Sequence, residues 1–258
     1  MHNVSGDFFV RALTDILDGA PIFGMMSSDH TPDYHAAAVI YQGETYKDRV
    51  AFVLVHGAVT PKFYIAHIAK EKLFREKAVI TSSASNQLYT VNDMPAADFL
   101  KHIGLQEDAS GNLIGINTYP FILDFGDGTA PIVRVMFGVT EDGAAICGGD
   151  VPVGAMLTVG AIDDESILAV SRAKLKEIAA DGPKDVTLIF SCVGRYFSLG
   201  YESDREILLV KEALRPIGGN YMFAYAGGEI CPVSSSAGSE AGTANNRFHN
   251  DTFIACTF

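Results

Sequence analysis

Short apolar segments, each broken after a few residues by a turn containing Gly, Asn or Asp, fill most of this chain, and no regular alternation of strand and helix runs through them. That rhythm favours antiparallel meanders. Antiparallel neighbours need only a tight turn between them, whereas parallel strands need a crossover of a dozen or more residues. Strand candidates lie at residues 21–26, 36–41, 50–55, 62–68, a pair within 78–91, then 121–125, 132–139, 144–147, 155–161, 186–190, 221–226 and 251–258. The strands at 36–41 and 50–55 are expected to pair across a turn at Gly43-Glu44. Helical spacing is confined to a few places. Phe8, Phe9, Ala12, Leu13, Ile16 and Leu17 form one stripe that Asp18-Gly19 closes. Residues 163–180 begin with three acids suited to the positive end of a helix, carry Ile167, Leu168, Val170, Leu175 and Ile178, and stop at Asp181-Gly182-Pro183. Shorter helices are predicted at 95–103 and 204–214. The fold class is therefore α+β: mixed, largely antiparallel sheets packed with a minority of helices. No G-x-G-x-x-G follows a strand, which disfavours a doubly wound nucleotide fold.

Size and charge narrow the partners. The 258 residues suit one large domain or two small ones, with the polar, Gly-rich stretch 106–117 the best internal boundary by composition. Nineteen Lys and Arg stand against 31 Asp and Glu, a net charge of −12, and the densest basic stretch, 70–77, is interleaved with acids. Binding to a phosphate backbone depends on cations, so nucleic acid and anionic membrane surfaces are excluded as expected partners. No apolar run approaches the roughly 20 residues that span a bilayer. Cys147, Cys192, Cys231 and Cys256 show no C-x-x-C spacing, and no basic and apolar leader is visible at the start of the chain. A reducing cytoplasm with buried thiols is the expectation. His30, His35, His56 and His67 lack metal-ligand spacing, so neither a metal nor a cofactor is expected.

Four polar constellations stand out. Ser191-Cys192-Val193-Gly194-Arg195 follows the strand at 186–190, where a rigid scaffold delivers side chains to a crevice, and Arg195 offers a fork of donors for a carboxylate or phosphate. In structural terms alone, Cys192 is a small buried hydrophobe and Arg195 pairs with an acid. Gly227-Gly228-Glu229 follows the strand at 221–226; two glycines let the chain bend and aim Glu229, which either holds an ammonium group, pairs with Arg195 or stays solvated. Asn245 to Thr252 packs Arg247, His249, Asn250 and Asp251 into a loop–strand junction that suits ligand positioning or the fixing of the loop at 234–246, expected to be mobile. Ser27-Ser28-Asp29-His30 is the fourth. No G-x-S-x-G, H-E-x-x-H or P-loop run is present. A triad of Cys192, His249 and Asp251 can be drawn, but triads are defined by geometry.

These residues carry a resemblance. Cys192-x-x-Arg195, Glu206-Ile207, the run from Gly219 to Ala226, Gly228-Glu229-Ile230-x-Pro232 and His249-Asn250-x-Thr252 are similar in order and spacing to the C-terminal FIST domain. Leu88 to Ala96 resembles the start of that domain, and Pro21 to Asp29 with the strands after it resembles the closing part of the N-terminal FIST domain. The resemblance implies a division into a shortened N-terminal-like region at 1–76 and a C-terminal-like domain at 77–258. It also implies a sensory module of bacterial-type signal transduction that recognises small molecules such as amino acids, without established catalysis. Output would pass to a separate protein. With the early strands of the N-terminal domain missing, an open sheet edge would be left for a partner or a second copy to cover.

The expectation for function is an intracellular, non-catalytic sensor of an amino acid or small carboxylate. Arg195 would grip the ligand carboxylate and Glu229 its amino group, with Cys192, Arg247, His249 and Asn250 completing the site. Two readings compete: a thiol enzyme using Cys192 with His249 as base, and a structural interaction subunit in which both clusters staple loops.

Overall fold

A computed structural model describes residues 5–29, 31, 35–200, 204–234 and 244–258. Helix α1 (Gly6–Ile16) starts at Ser5, whose hydroxyl accepts from the Phe8 N–H, and buries Val10 against Ile230 and Phe248. After the short β1 (Gly24–Met25), a hairpin joins β2 (Val39–Tyr41) to β3 (Glu44–Tyr46). Its turn is Gln42-Gly43, both at positive φ, the conformation that tight hairpins require. The partner of β2 is thus the nearer segment and not the one expected at 50–55. Residues 51–56 carry no strand pairing, and Phe52 and Val53 are 86% and 87% exposed.

The largest sheet has eight strands. Along it lie β10 (Met136–Val139), β11 (Ala145–Cys147), β6 (Gln87–Val91), β5 (Leu73–Ala84), β12 (Met156–Gly160), β8 (Phe121–Asp124) and β9 (Ile132–Arg134), and β7 (Met94–Pro95) pairs with β6. Every pairing in it is antiparallel. β5 is long enough to serve two partners, β12 along its first half and β6 along its second, with register shifts from Ile80 to Ser83 as it changes between them. Helix α2 (Ala96–His102) lays Phe99 and Leu100 on this sheet, in a core with Ile80, Leu88, Phe121, Met136 and Leu157. Leu113 and Ile116, from the polar stretch 106–117, pack on the same core.

A second sheet has the order β14 (Asn220–Ala226), β13 (Val186–Cys192), β17 (Phe253–Thr257), β4 (Lys62–Ala66). β13 and β14 are parallel, and α4 (Val193–Leu199) and α5 (Asp204–Leu214) lie in the crossover that a parallel pair demands. Helix α3 (Asp164–Ala180) begins with a reciprocal cap between Asp163 and Ser166. It packs Leu175 and Ile178 with Ile189, Val210 and Leu214. A third sheet joins β1, β15 (Glu229–Val233) and β16 (Asn245–His249). With about 26% helix and 35% strand, mostly antiparallel, the fold is α+β, as the turn-broken pattern predicts. Among the described residues no helix is long and apolar enough to cross a membrane.

Candidate functional site

The three segments that carry the predicted residues meet because of how their strands end. β13 and β14 stop in register at Cys192 and Ala226. Beyond Cys192 the chain enters α4, which holds Arg195. Beyond Ala226 it bends through Gly227-Gly228 into β15, whose first residue, Glu229, lies opposite His249 on β16. Asn250 and Asp251 then turn the chain into β17, on the other side of β13 from β14. Asp251 makes that turn with φ at +50°, a left-handed conformation that Asp tolerates better than most residues.

Arg195 is 2% exposed and heavily engaged. Its Nη2 donates to Glu206 Oε1 at 2.7 Å, Ser171 Oγ at 2.5 Å and the Ile167 carbonyl at 3.2 Å, and its Nε donates to Ser191 Oγ at 3.1 Å. The Ser191 hydroxyl donates to Glu206 Oε2 at 2.8 Å, and the Tyr225 hydroxyl also bonds Glu206. Burial pushes the Glu206 carboxyl up, but the Arg195 guanidinium and the serine hydroxyls outweigh it and hold the group below its usual range. A buried pair of this kind persists only when its remaining donors and acceptors are met, which the serines and the tyrosine accomplish.

At Glu229 and Asp251 the balance is reversed. Glu229 is fully buried; its Oε2 accepts from the Thr252 hydroxyl at 2.7 Å and the Thr252 N–H at 3.3 Å, while Oε1 has no partner among the described residues. Asp251 receives a hydrogen bond from the Cys192 thiol, and its Oδ2 has no partner among the described residues. Asn250 donates through Nδ2 to the His249 carbonyl, and its Oδ1 has no partner among the described residues. Burial raises both carboxyls, Glu229 well above the carboxylate range and Asp251 to about 7; Arg195 lowers each, and Asp251 raises Glu229 further. Two glycines make room for these acceptors: a Cβ on Gly194 would stand 2.5 Å from Asp251 Oδ1, and one on Gly148 would stand 2.5 Å from Asn250 Oδ1.

His249 bonds the Cys231 carbonyl through Nε2 at 3.1 Å, and burial drives it down to about 3, so the ring stays neutral. Burial, Glu229 and Asp251 push the Cys192 thiol well above its usual range. A nucleophilic cysteine needs the opposite shift. Arg247 turns away: it is half-buried, pairs with Asp127 and stacks over Phe125 with Cζ 5.5 Å from the ring centre. The fold therefore brings Cys192, Arg195, Glu229, His249 and Asn250 to one region and carries Arg247 to the Asp127 turn. His30 and most of the loop at 234–246 lie outside the described residues, although Asn245 and Asn246 open β16.

Sequence reasoning missed Ser171 and Tyr225, and it named Asp251 and Thr252 without placing them in the expected binding set. The available signal for Ser171 was a polar residue on the stripe set by Ile167, Leu168 and Leu175. Arg134 was also missed. It is fully buried on β9, where Nη2 donates to Asp7 Oδ1 at 2.6 Å, Nη1 to the Phe248 carbonyl at 2.9 Å and Nε to the Asp150 carbonyl at 3.0 Å. One side chain thus ties α1, the large sheet and the third sheet together.

The strand ends thus gather buried, partly unpartnered acceptors beside a closed ion-pair network in an α+β fold. The chain matches the FIST N domain over residues 2–94 and the FIST C domain over residues 96–232, and it belongs to the FIST family. FIST domains are sensory domains for small-ligand binding in signal transduction. No curated protein and no solved structure matches the chain.

Proposed function

We propose that this protein senses an amino acid or small carboxylate, bound where β13, β15 and β16 end, and passes the signal to a separate protein. One observation supports this reading above the others: Glu229 Oε1, Asn250 Oδ1 and Asp251 Oδ2 are buried acceptors without partners among the described residues. Such groups are costly unless a donor meets them, and a ligand supplies donors. Cys192, Glu229, His249 and Asn250 line the place. Arg195 contributes its positive potential from within the Glu206 network, so gripping a ligand carboxylate asks it to exchange part of that network. Arg247 holds the neighbouring Asp127 turn.

Association with the output protein or a second copy uses the exposed apolar residues at 50–55, Phe52 and Val53 above all. A thermal-shift screen of amino acids and small carboxylates tests the ligand reading. Binding at a hundredfold excess over Kd stabilises by about 2.7 kcal/mol, a readily measured rise in Tm. A library that leaves Tm unmoved overturns it.

A further inference from the structure

We propose that Glu229 and Asp251 are the pair that reads the ligand, and that what they read is a protonated amine, which displaces a proton from the pair as it binds. This rests on the reading above, that a small ligand occupies these strand ends, and it narrows the ligand to one bearing an amine.

The geometry separates the two charge systems. Arg195 and Glu206 satisfy one another, with Ser171, Ser191 and Tyr225 around them. Glu229 and Asp251 have no ion-pair partner among the described residues, and each leaves one oxygen unmet. Thr252, the residue after Asp251, ties down the other Glu229 oxygen, and the Cys192 thiol is near enough to feel both carboxyls. The region therefore holds two acids, with its one adjacent guanidinium engaged elsewhere. Two carboxylates cannot both stay ionised and dry without a cation, so the empty site keeps a proton on the pair. An ammonium group brings the missing positive charge and several N–H donors; the displaced proton leaves for solvent. A carboxylate ligand adds further negative charge beside the pair and donates to neither unmet oxygen.

Every charged or titratable neighbour fits this assignment. Arg195 on α4 lowers both acids, Cys192 at the end of β13 is held as a thiol, and His249 on β16 is held neutral. None of these supplies a free cation.

The test compares amino acids with their N-acetyl derivatives, which lose the amine, and their methyl esters, which lose the carboxylate. Calorimetry is run near pH 6 in buffers of different ionisation enthalpy. Esters should bind and N-acetyl derivatives should weaken roughly ten- to hundredfold, the worth of hydrogen bonds to a charged group. Binding should release protons, and Glu229→Gln or Asp251→Asn should reduce that release; Asp251→Asn keeps the left-handed turn and serves if the first variant fails to fold. N-acetyl compounds binding as well as their parents, or binding without proton release, overturn the pair's role while the sensor reading survives. No binding by any of the three sets removes both.

Discussion

Gly194 and Asp251 fit against each other with no space for a β-carbon: Oδ1 of the aspartate stands 2.5 Å from where one would be. The contact joins the first turn of α4 to the bend between β16 and β17 and sets where the aspartate lies. Gly194→Ala must push Asp251 or the helix aside, which costs roughly 1–3 kcal/mol by the usual scale of overpacking. Chemical denaturation should show that loss, and ligand affinity should fall with it. An alanine variant of unchanged midpoint would show that the turn yields freely.

Asp251 should make stability depend on pH in an unusual direction. Its folded pKa is raised to about 7, so between the unfolded value near 3.9 and 7 the native state binds more protons than the unfolded chain, and stability falls as pH rises. Asp251→Asn removes the effect. The midpoint of the variant relative to the parent should climb from pH 4 to pH 7 and level off above, by on the order of 1–4 kcal/mol. His249 acts in the opposite sense: its folded pKa of about 3 lies below the unfolded value, so its contribution is present above about 6.5 and is lost as pH falls. A pairwise comparison of parent and variant cancels the histidine. A flat difference across the window would contradict a protonated Asp251.

Removing one member of the buried ion pair should be far more damaging than any surface change. Glu206→Ala leaves the Arg195 guanidinium buried without its counter-ion, a loss of about 3–5 kcal/mol. Urea unfolding measures it. A loss under about 1 kcal/mol would mean that the serines and solvent suffice for Arg195.

Arg134→Met keeps a side chain of similar length and deletes every bond to Asp7, Phe248 and Asp150. Asp7 is left half-stranded at the start of α1, where burial already raises its pKa. Hydrogen exchange in residues 6–16 should accelerate well beyond exchange in β5 and β12. Uniform acceleration across the chain would place Arg134 in the global core instead of at a local latch.

The exposed segment gives the last expectation. Phe52 is 86% exposed, so Phe52→Lys should change stability by no more than about 0.5 kcal/mol. Sedimentation velocity should show self-association of the parent at high concentration and a monodisperse variant. A parent that stays monomeric throughout would leave the segment without a role in pairing between copies.

How much of this was legible beforehand depends on range. The stripe from Phe8 to Leu17 and the acids at 163–165 announced α1 and α3 because amphipathic period and capping are properties of neighbouring residues. The same local rules misplaced the hairpin partner of β2. The unbroken apolar run at 50–55 reads as a strand more strongly than 44–46 does, and the positive φ at Gln42 and Gly43 decided for the nearer segment. α4 was unannounced, since Val193 to Leu199 contains Gly194 and two aromatics and offers little helical bias of its own.

The order of residues was enough to establish an α+β chain of turn-linked strands and to mark Cys192, Arg195, Glu229 and Asn250 as unusual, because periodicity, turns and polarity are written in adjacent positions. Only tertiary structure decided that Arg195 answers to Glu206, eleven residues on, and to Ser171 on another helix, that β4 closes a sheet with β17 from the far end of the chain, and that Glu229 and Asp251 each keep one oxygen without a partner among the described residues. A buried charge is neutralised by whichever opposite group packing brings within hydrogen-bond reach, and that choice depends on the approach of segments whose separation along the chain carries no record of it.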